Sequence, residues 1–339
     1  MSGKLVAITG ATGFFGYHIL RAIRDKGYQP IAVERDVTTA KNKLPGNIEI
    51  RQADITDAGE LKAAFKGMDA AIHLASMVSI NKRDNKDVYH VNVNGAENFL
   101  NAAEQAGIKR ILFTSTTSAV GALNCNQPDA AYDETSAFNL SCEPVAYIQA
   151  KRDAHNLALN ARARGAPVVI LSPSFVLGPN DINLNTSRLI NSIRKKELPI
   201  CPHGGLNPID VRDIAQVYVA ALEHPNPAAH YILASRNNLT LKTFIEHVAT
   251  IANVTPPRLS IPTFLALAIA TIVETLSPAG ALTAAGARIG SYYWYFNAAL
   301  ARRDLSLNCR PLFDTLNDTL TWLIDREKLI IQKNGLEKK

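Results

Sequence analysis

The first 175 residues alternate short apolar runs with longer stretches whose apolar positions recur at helical spacing. The runs are Leu5–Thr9, Pro30–Glu34, Ile48–Gln52, Ala70–Leu74, Arg110–Ser115 and Pro167–Ser172. They are rich in Val, Ile, Leu and Ala and lack the polar alternation of a half-exposed strand, so they read as strands covered on both faces. Between them lie the helical stretches Phe14–Lys26, Glu60–Lys66, Val88–Ala106 and Ala146–Arg164. Gly27, Gly67, Gly107 and Gly165 each follow one of these, where a left-handed helix end suits glycine. Strand–helix alternation of this kind predicts βαβ units and a doubly wound parallel α/β sheet.

After Ser172 the rhythm changes. A loop rich in Pro, Asn and Asp (173–185) leads to a short helix, and the chain is expected to return to the sheet at His230–Ala234. Residues 236–325 read as helical, and no internal repeat or low-complexity linker interrupts the chain. The pattern divides the chain into a nucleotide-binding part at 1–180, with a return strand near 209–235, and a smaller, mostly helical substrate part at 181–208 and 236–330. Residues 331–339 are a tail.

The turn after the first strand, "AITGATGFFG", carries glycines at 10, 13 and 16. A strand that bends sharply into a helix offers free backbone N–H groups at the positive end of the helix dipole. Gly10 then permits the tight turn, Gly13 lets a pyrophosphate approach, and Gly16 lets the helix pack close to the strand. With a strand before it and a helix after it, this turn is expected to hold a dinucleotide, with Thr12, Phe14 and Phe15 beside the phosphates. At the tip of the second strand, "AVERDV" offers two readings. Glu34 suits a ribose 2′-hydroxyl and therefore NAD, whereas Arg35 suits a 2′-phosphate and therefore NADP. Asp54 and Ile55 in "ADITD" are placed for the adenine. Leu74, Ala75 and Ser76 in "HLAS" end the fourth strand with side chains small enough for a cofactor to pass over.

Composition changes this picture little. The hydrophobic content of 47% is that of a folded protein, and the formal charge of +6 is mild for 339 residues. No basic stripe interleaved with aromatics points to nucleic acid. The scattered cysteines at 125, 142, 201 and 309 suit a reduced, cytoplasmic chain and form no metal-type spacing. One stretch stands apart. Ile261–Leu276 is apolar except for proline, threonine and Glu274, yet shorter than the ~20 residues of a membrane span. It reads as a buried helix or a wall of an apolar pocket, with weak membrane docking as the alternative.

"AYIQAK" sets Tyr147 and Lys151 four apart on one helix face. A free tyrosine has a pKa of about 10, and a nearby ammonium is expected to lower it toward the range of general acid–base work. Upstream, "RILFTSTTSAVG" ends a strand in clustered hydroxyls that could hold a carbonyl oxygen.

The glycine turn, the strand-end hydroxyls and Tyr-x-x-x-Lys occur in the order of the extended short-chain dehydrogenase/reductases. The chain resembles that family over nearly its whole length, through "TGATGFFG", "DITD", "HLAS", "NVNGAEN", "FTSTT", "YIQAK", "PSFVLGP" and "PIDVRDIA". The resemblance implies that Thr116 is the catalytic Ser/Thr, with Ser115 the non-catalytic residue before it, and that Tyr147 is the acid–base. Lys151 would hold the nicotinamide ribose and lower the tyrosine pKa, and Asn92 would support the lysine through a water. Thr114 would lie along the cofactor, and Pro173, Ser174 and Val176 would pass near the nicotinamide carboxamide.

"GGLNPIDVRDIA" and "YWYFNAALARRDL" look most like the dihydroflavonol 4-reductase-like, hopanoid-associated and 3β-hydroxysteroid dehydrogenase-like branches. "VERD" is similar to the reductases' "VRD", whose arginine binds the NADP 2′-phosphate, so NADP is favoured and NAD is the alternative. Two departures from the nucleotide-sugar enzymes stand out: Leu206–Asn207–Pro208 where they usually carry a diphosphate-binding arginine, and Ser172 where an arginine often precedes "PSFVLGP". The expected activity is NAD(P)-dependent interconversion of a carbonyl and a secondary alcohol on a small hydrophobic substrate, by a chain that is homodimeric in the manner of the family. A nucleotide-sugar epimerase or dehydratase is the second reading, and a non-catalytic dinucleotide-binding regulator the third.

Overall fold

The computed structural model describes residues 3–198, 200–257, 260–261, 265, 267, 268, 271 and 284–336. Most of Ile261–Leu276 therefore lies outside the described residues. Seven parallel strands form the central sheet: β1 (Leu5–Thr9), β2 (Gln29–Glu34), β3 (Glu49–Gln52), β4 (Ala70–His73), β5 (Arg110–Thr114), β6 (Val168–Pro173) and β7 (His230–Leu233). Their order is β7-β6-β5-β4-β1-β2-β3, a doubly wound sheet whose direction of winding reverses between β1 and β4. A crevice opens at the carboxyl ends of the strands where the order reverses.

The unbroken apolar runs resolve into two faces. Val6, Ile8, Ala32, Leu112 and Val169 face one core, while Ala7, Ile31, Val33, Ile111 and Phe113 face the other. Both faces are covered by helices, so alternation is present in direction but not in polarity. The four glycines expected to end helices have positive φ, from +67° at Gly107 to +98° at Gly165.

The helices are α1 (Phe14–Asp25), α2 (Val37–Lys43), α3 (Ala58–Ala64), α4 (Asn85–Tyr89), α5 (Gly95–Gln105), α6 (Ala146–Ala163), α7 (Ser187–Arg194), α8 (Val211–Glu223) and α9 (Leu241–Ile251), with further helical segments toward the C-terminus. The single helix expected over Val88–Ala106 is interrupted by a π-turn at His90–Asn94. That turn buries Asn92, whose side chain bonds the loop after β4 rather than continuing the regular helical surface. Sequence periodicity missed α8, which is rich in Val and Ile and was expected to belong to a return strand. Within that stretch only His230–Leu233 joins the main sheet, pairing with β6. Pro208–Asp210 pairs instead with Phe175–Leu177 in a small separate sheet.

A satellite core joins Leu177 and Ile190 to Phe244 on α9 and to Leu316, Leu320 and Leu323 on the C-terminal helix, Leu312–Leu336. The link back to the nucleotide-binding sheet is polar. Buried Asp213 on α8 accepts the backbone N–H of Arg310 at 2.8 Å and its guanidinium Nε and Nη2 at 2.9 and 2.7 Å. Arg310 is partly exposed and also lies 3.6 Å from Asp210 Oδ2, so its charge keeps a partner when Asp213 is removed. Asp213→Ala is expected to cost about 2 kcal/mol for the lost charge-assisted hydrogen bonds, read as a lower urea midpoint at unchanged m-value.

Candidate active site

The turn from β1 into α1 shows why its glycines are needed. Gly10 has φ +70°, and a Cβ there would stand 2.8 Å from Ala75 N. A Cβ on Gly16 would stand 2.3 Å from Gly10 O, so the helix can pack this close only without one. On Gly13 it would meet only Gly10 O, at 3.3 Å. Gly13 caps α1 with no side chain, and the first intrahelical bond runs from Tyr17 N to Gly13 O at 3.0 Å. The N–H groups of Phe14 and Phe15 therefore lie ahead of that bond, at the positive end of α1, and suit a phosphate. The donor set fits a dinucleotide's pyrophosphate.

A cleft of about 300 Å³ starts at this turn. It gathers Gly10, Gly13, Phe14, Phe15 and Gly16 with Leu74 and Ser76 from the end of β4, Thr114 and Thr116 from the end of β5, Tyr147 and Lys151 from α6, and Pro173, Ser174 and Val176 beyond β6. These residues, named from sequence, are thus brought to one place. Thr12, Glu34, Arg35, Asp54, Ile55, Ala75 and Asn92 do not line it. Glu34 accepts the Thr12 N–H at 2.9 Å, which ties the tip of β2 to the glycine turn, while Arg35 is exposed. Asp54 Oδ1 accepts both the N–H and the hydroxyl of Thr56 at 2.8 Å, and Ile55 packs beside Gly95. Asn92 Oδ1 accepts from Ser76 Oγ at 2.9 Å and Met77 N at 2.8 Å, and its amide donates to Met77 O at 2.9 Å. Its side chain thereby braces Ser76, which lines the cleft.

A second, smaller cavity of about 170 Å³ adjoins the first and shares Thr116, Tyr147, Ser174 and Phe175 with it. Its other walls include Ile148, Leu206, Ile289 and Trp294. Sequence reasoning did not place Ile289 or Trp294 in the site: Trp294 stands in "YWYFNAALARRDL", but nothing in that motif connects it to α6. The fold brings them there because the chain before Ala298 runs back along Leu123 and Gly205 through bridges at Tyr293. Trp294 donates its indole N–H to Ile289 O at 2.9 Å, which leaves apolar surface for the cavity.

Burial dominates the two groups expected to titrate. It pushes the Tyr147 phenol up to about 12 and the buried Lys151 ammonium down to about 8. Lost hydration is the cause of both shifts, and no lowering of Tyr147 by Lys151 accompanies it. Lys151 Nζ donates to Thr114 O at 3.4 Å. Two strand-end hydroxyls are already engaged, Thr114 with Tyr218 OH at 2.6 Å and Ser115 with His155 Nδ1 at 2.9 Å. His155 lies four residues beyond Lys151, a spacing that could have revealed it. Burial, with smaller contributions from nearby positive groups, holds its pKa near 3, so it is a neutral structural partner. Among the described residues, no group of His, Cys, Asp and Glu is arranged to hold a metal ion, and no helix is long and apolar enough to cross a membrane.

This combination of doubly wound sheet, glycine turn and Tyr–Lys cleft defines a dinucleotide-dependent oxidoreductase of the extended short-chain type. The chain belongs to the NAD dependent epimerase/dehydratase family, whose profile matches residues 6–234, and it is an enzyme of that family. It is 30% identical over 93% of its length, and 93% of the relative's, to a Synechocystis sp. protein provisionally named dihydroflavonol 4-reductase. It is 32% identical to cinnamoyl-CoA reductase 1 of Oryza sativa subsp. japonica, over 68% of this chain and 70% of the relative. The crystal structure of gox2253 superposes with a TM-score of 0.81 at 25% identity, covering 96% of this chain and 99% of that one.

The desolvated lysine carries a stability consequence. Its folded pKa of about 8 lies below the 10.5 of a free lysine, so the unfolded chain binds more protons between those values and stability rises with pH through that window. Below about pH 8 the full cost of a buried charge is present. Lys151→Met is therefore expected to raise the thermal midpoint at pH 7, by roughly 1–2 °C for each kcal/mol relieved, and to lose part of that advantage at pH 10. Calorimetry at the two pH values measures it.

Proposed function

We propose that the chain is an NAD(P)-dependent oxidoreductase that interconverts a carbonyl and a secondary alcohol on a hydrophobic substrate. The observation that carries this reading is the second cavity. It abuts Tyr147 and Thr116, its walls are largely apolar, and among the described residues none that lines it is charged. A diphosphate there would be desolvated without a partner, because Leu206 stands where an arginine would be needed. The reductase names of its relatives agree with the proposal. A bound nicotinamide dinucleotide supplies or accepts the hydride.

The chain's own residues do the rest. The Tyr147 phenol, protonated at neutral pH, gives its proton to the carbonyl oxygen in reduction and takes it back in oxidation. Thr116 donates a hydrogen bond to the same oxygen. Lys151 holds the nicotinamide ribose and, when charged, favours the phenolate left behind. Gly10, Thr12, Gly13, Phe14, Phe15 and Gly16 receive the pyrophosphate, and Asp54 and Ile55 the adenine. Leu74, Ala75, Ser76 and Thr114 flank the cofactor, Asn92 supports the lysine side of the site, and Pro173, Ser174 and Val176 meet the carboxamide. NADP is favoured over NAD, since the Glu34 carboxylate is engaged by Thr12 N while Arg35 is exposed and its side chain makes no hydrogen bond among the described residues.

Tyr147→Phe is expected to reduce turnover at least ~10²-fold while leaving cofactor binding nearly intact. Near-normal turnover would remove Tyr147 from the mechanism. A panel of steroid-like, aryl and long-chain 3-oxo ketones should support NAD(P)H oxidation, and UDP- or dTDP-hexoses should not. The opposite outcome would favour a nucleotide-sugar epimerase or dehydratase. Arg35→Ala should weaken NADPH by roughly 1.5–3 kcal/mol and barely change NADH, measured by titration of each cofactor. Equal losses would assign the ribose to Glu34.

A further inference from the structure

The hydroxyls that end β5 are not equivalent. Thr114 is engaged with Tyr218 and Ser115 with His155, whereas the Thr116 hydroxyl meets only Ser118 among the described residues. The short 3₁₀ turn Thr117–Ala119 folds back on Thr116, bringing the Ser118 N–H to Thr116 Oγ1 at 3.3 Å. The Ser118 hydroxyl donates to the same oxygen at 3.2 Å. A hydroxyl oxygen has two lone pairs and one proton. With a donor facing each lone pair, the proton is what Thr116 has left to offer. The open side of Thr116 is the pair of cavities it lines together with Tyr147.

We propose that Ser118 is a positioning residue that fixes Thr116 as a hydrogen-bond donor toward the substrate's carbonyl oxygen, a role that rests on the carbonyl chemistry proposed above. Without Ser118 Oγ, one lone pair is released, and the Thr116 hydroxyl can rotate to accept a bond instead of giving one. A donor held in advance toward an oxygen that gains charge stabilises the transition state more than the bound ketone. The effect therefore belongs in kcat. Ser118 itself lines the apolar cavity and is only partly buried, so removing its hydroxyl leaves the sheet and its cores untouched.

The test is a double-mutant cycle with acetophenone and NADPH as the probe pair. Ser118→Ala is expected to lower kcat about tenfold with KM within about twofold, less than the ~10²–10³ of deleting an oxyanion donor outright. Ser118→Thr should restore the rate, and Ser118→Ala should add nothing in a Thr116→Val background. The infrared C=O stretch of bound acetophenone gives a readout independent of turnover. It should lie lower in the wild type than in Thr116→Val, and Ser118→Ala should move it toward the Thr116→Val value. Equal rate losses from Ser118→Ala with Thr or Val at position 116 would overturn the proposal and leave the carbonyl chemistry standing. So would a Thr116-dependent infrared shift that Ser118→Ala leaves in place. A wild type with no Thr116-dependent shift would overturn both.

Discussion

The architecture depends on how closely two backbone segments meet at the head of the sheet. A side chain on Gly10 would collide with the backbone of Ala75, and one on Gly16 with the turn itself. The strand tips carry a matching set of bonds. Thr9 Oγ1 lies 3.0 Å from His73 Nδ1 and accepts the N–H groups of Leu74 and Ala75 at 3.3 and 3.4 Å. His73 is sandwiched between Phe99 and Phe113, and burial drives its pKa to about 3, so the ring stays neutral in an apolar layer. β1 and β4 are the strands between which the winding reverses. The contact that seats α1 on the sheet is therefore also the one that leaves a crevice above it, with free helix N–H groups along one edge.

From that edge, burial governs the chemistry. Lys151 and Tyr147 are one turn apart on α6, and elementary electrostatics predicts that the ammonium stabilises the phenolate. Lost hydration instead sets both values, raising one pKa and lowering the other. Both shifts favour neutral groups at the two positions, and each makes the pair more responsive to a charge placed nearby, since fields in a dry site are poorly screened.

Local signals made much of this legible. Gly10 and Gly16 announced the turn because only a missing Cβ allows their contacts, and the apolar runs announced strands because a doubly covered sheet has no polar face to show. The Tyr147–Lys151 pair was readable from spacing, whereas Thr116 was singled out from its neighbouring hydroxyls only by the family resemblance; the cleft gathers all three. Two kinds of feature were not readable. The π-turn at His90–Asn94 depends on tertiary bonds, those of Asn92 to Met77, that no local period encodes. Helix α8 is a different case, since the Asp210 cap on Arg212 N and its apolar positions at helical spacing are local. Ile289 and Trp294 reach the site from far along the chain, so their place beside α6 follows from the path of the backbone, although Trp294 itself stands in "YWYFNAALARRDL".

That division separates what is general from what is particular in the site. The phosphate-facing turn and the Tyr–Lys helix come from the first 175 residues, whose pattern is set by backbone geometry. The apolar cavity is closed by Leu206, Ile289 and Trp294, from the later part. An arginine at position 206 would bring charge to a wall that has none among the described residues, and with it water. Leucine leaves that wall apolar. On the proposed chemistry the same residue therefore acts twice: it withholds the partner a diphosphate would need, and it strengthens the hydrogen bonds that Tyr147 and Thr116 give to a carbonyl oxygen, because bonds in a water-poor site are weakened less by the solvent around them.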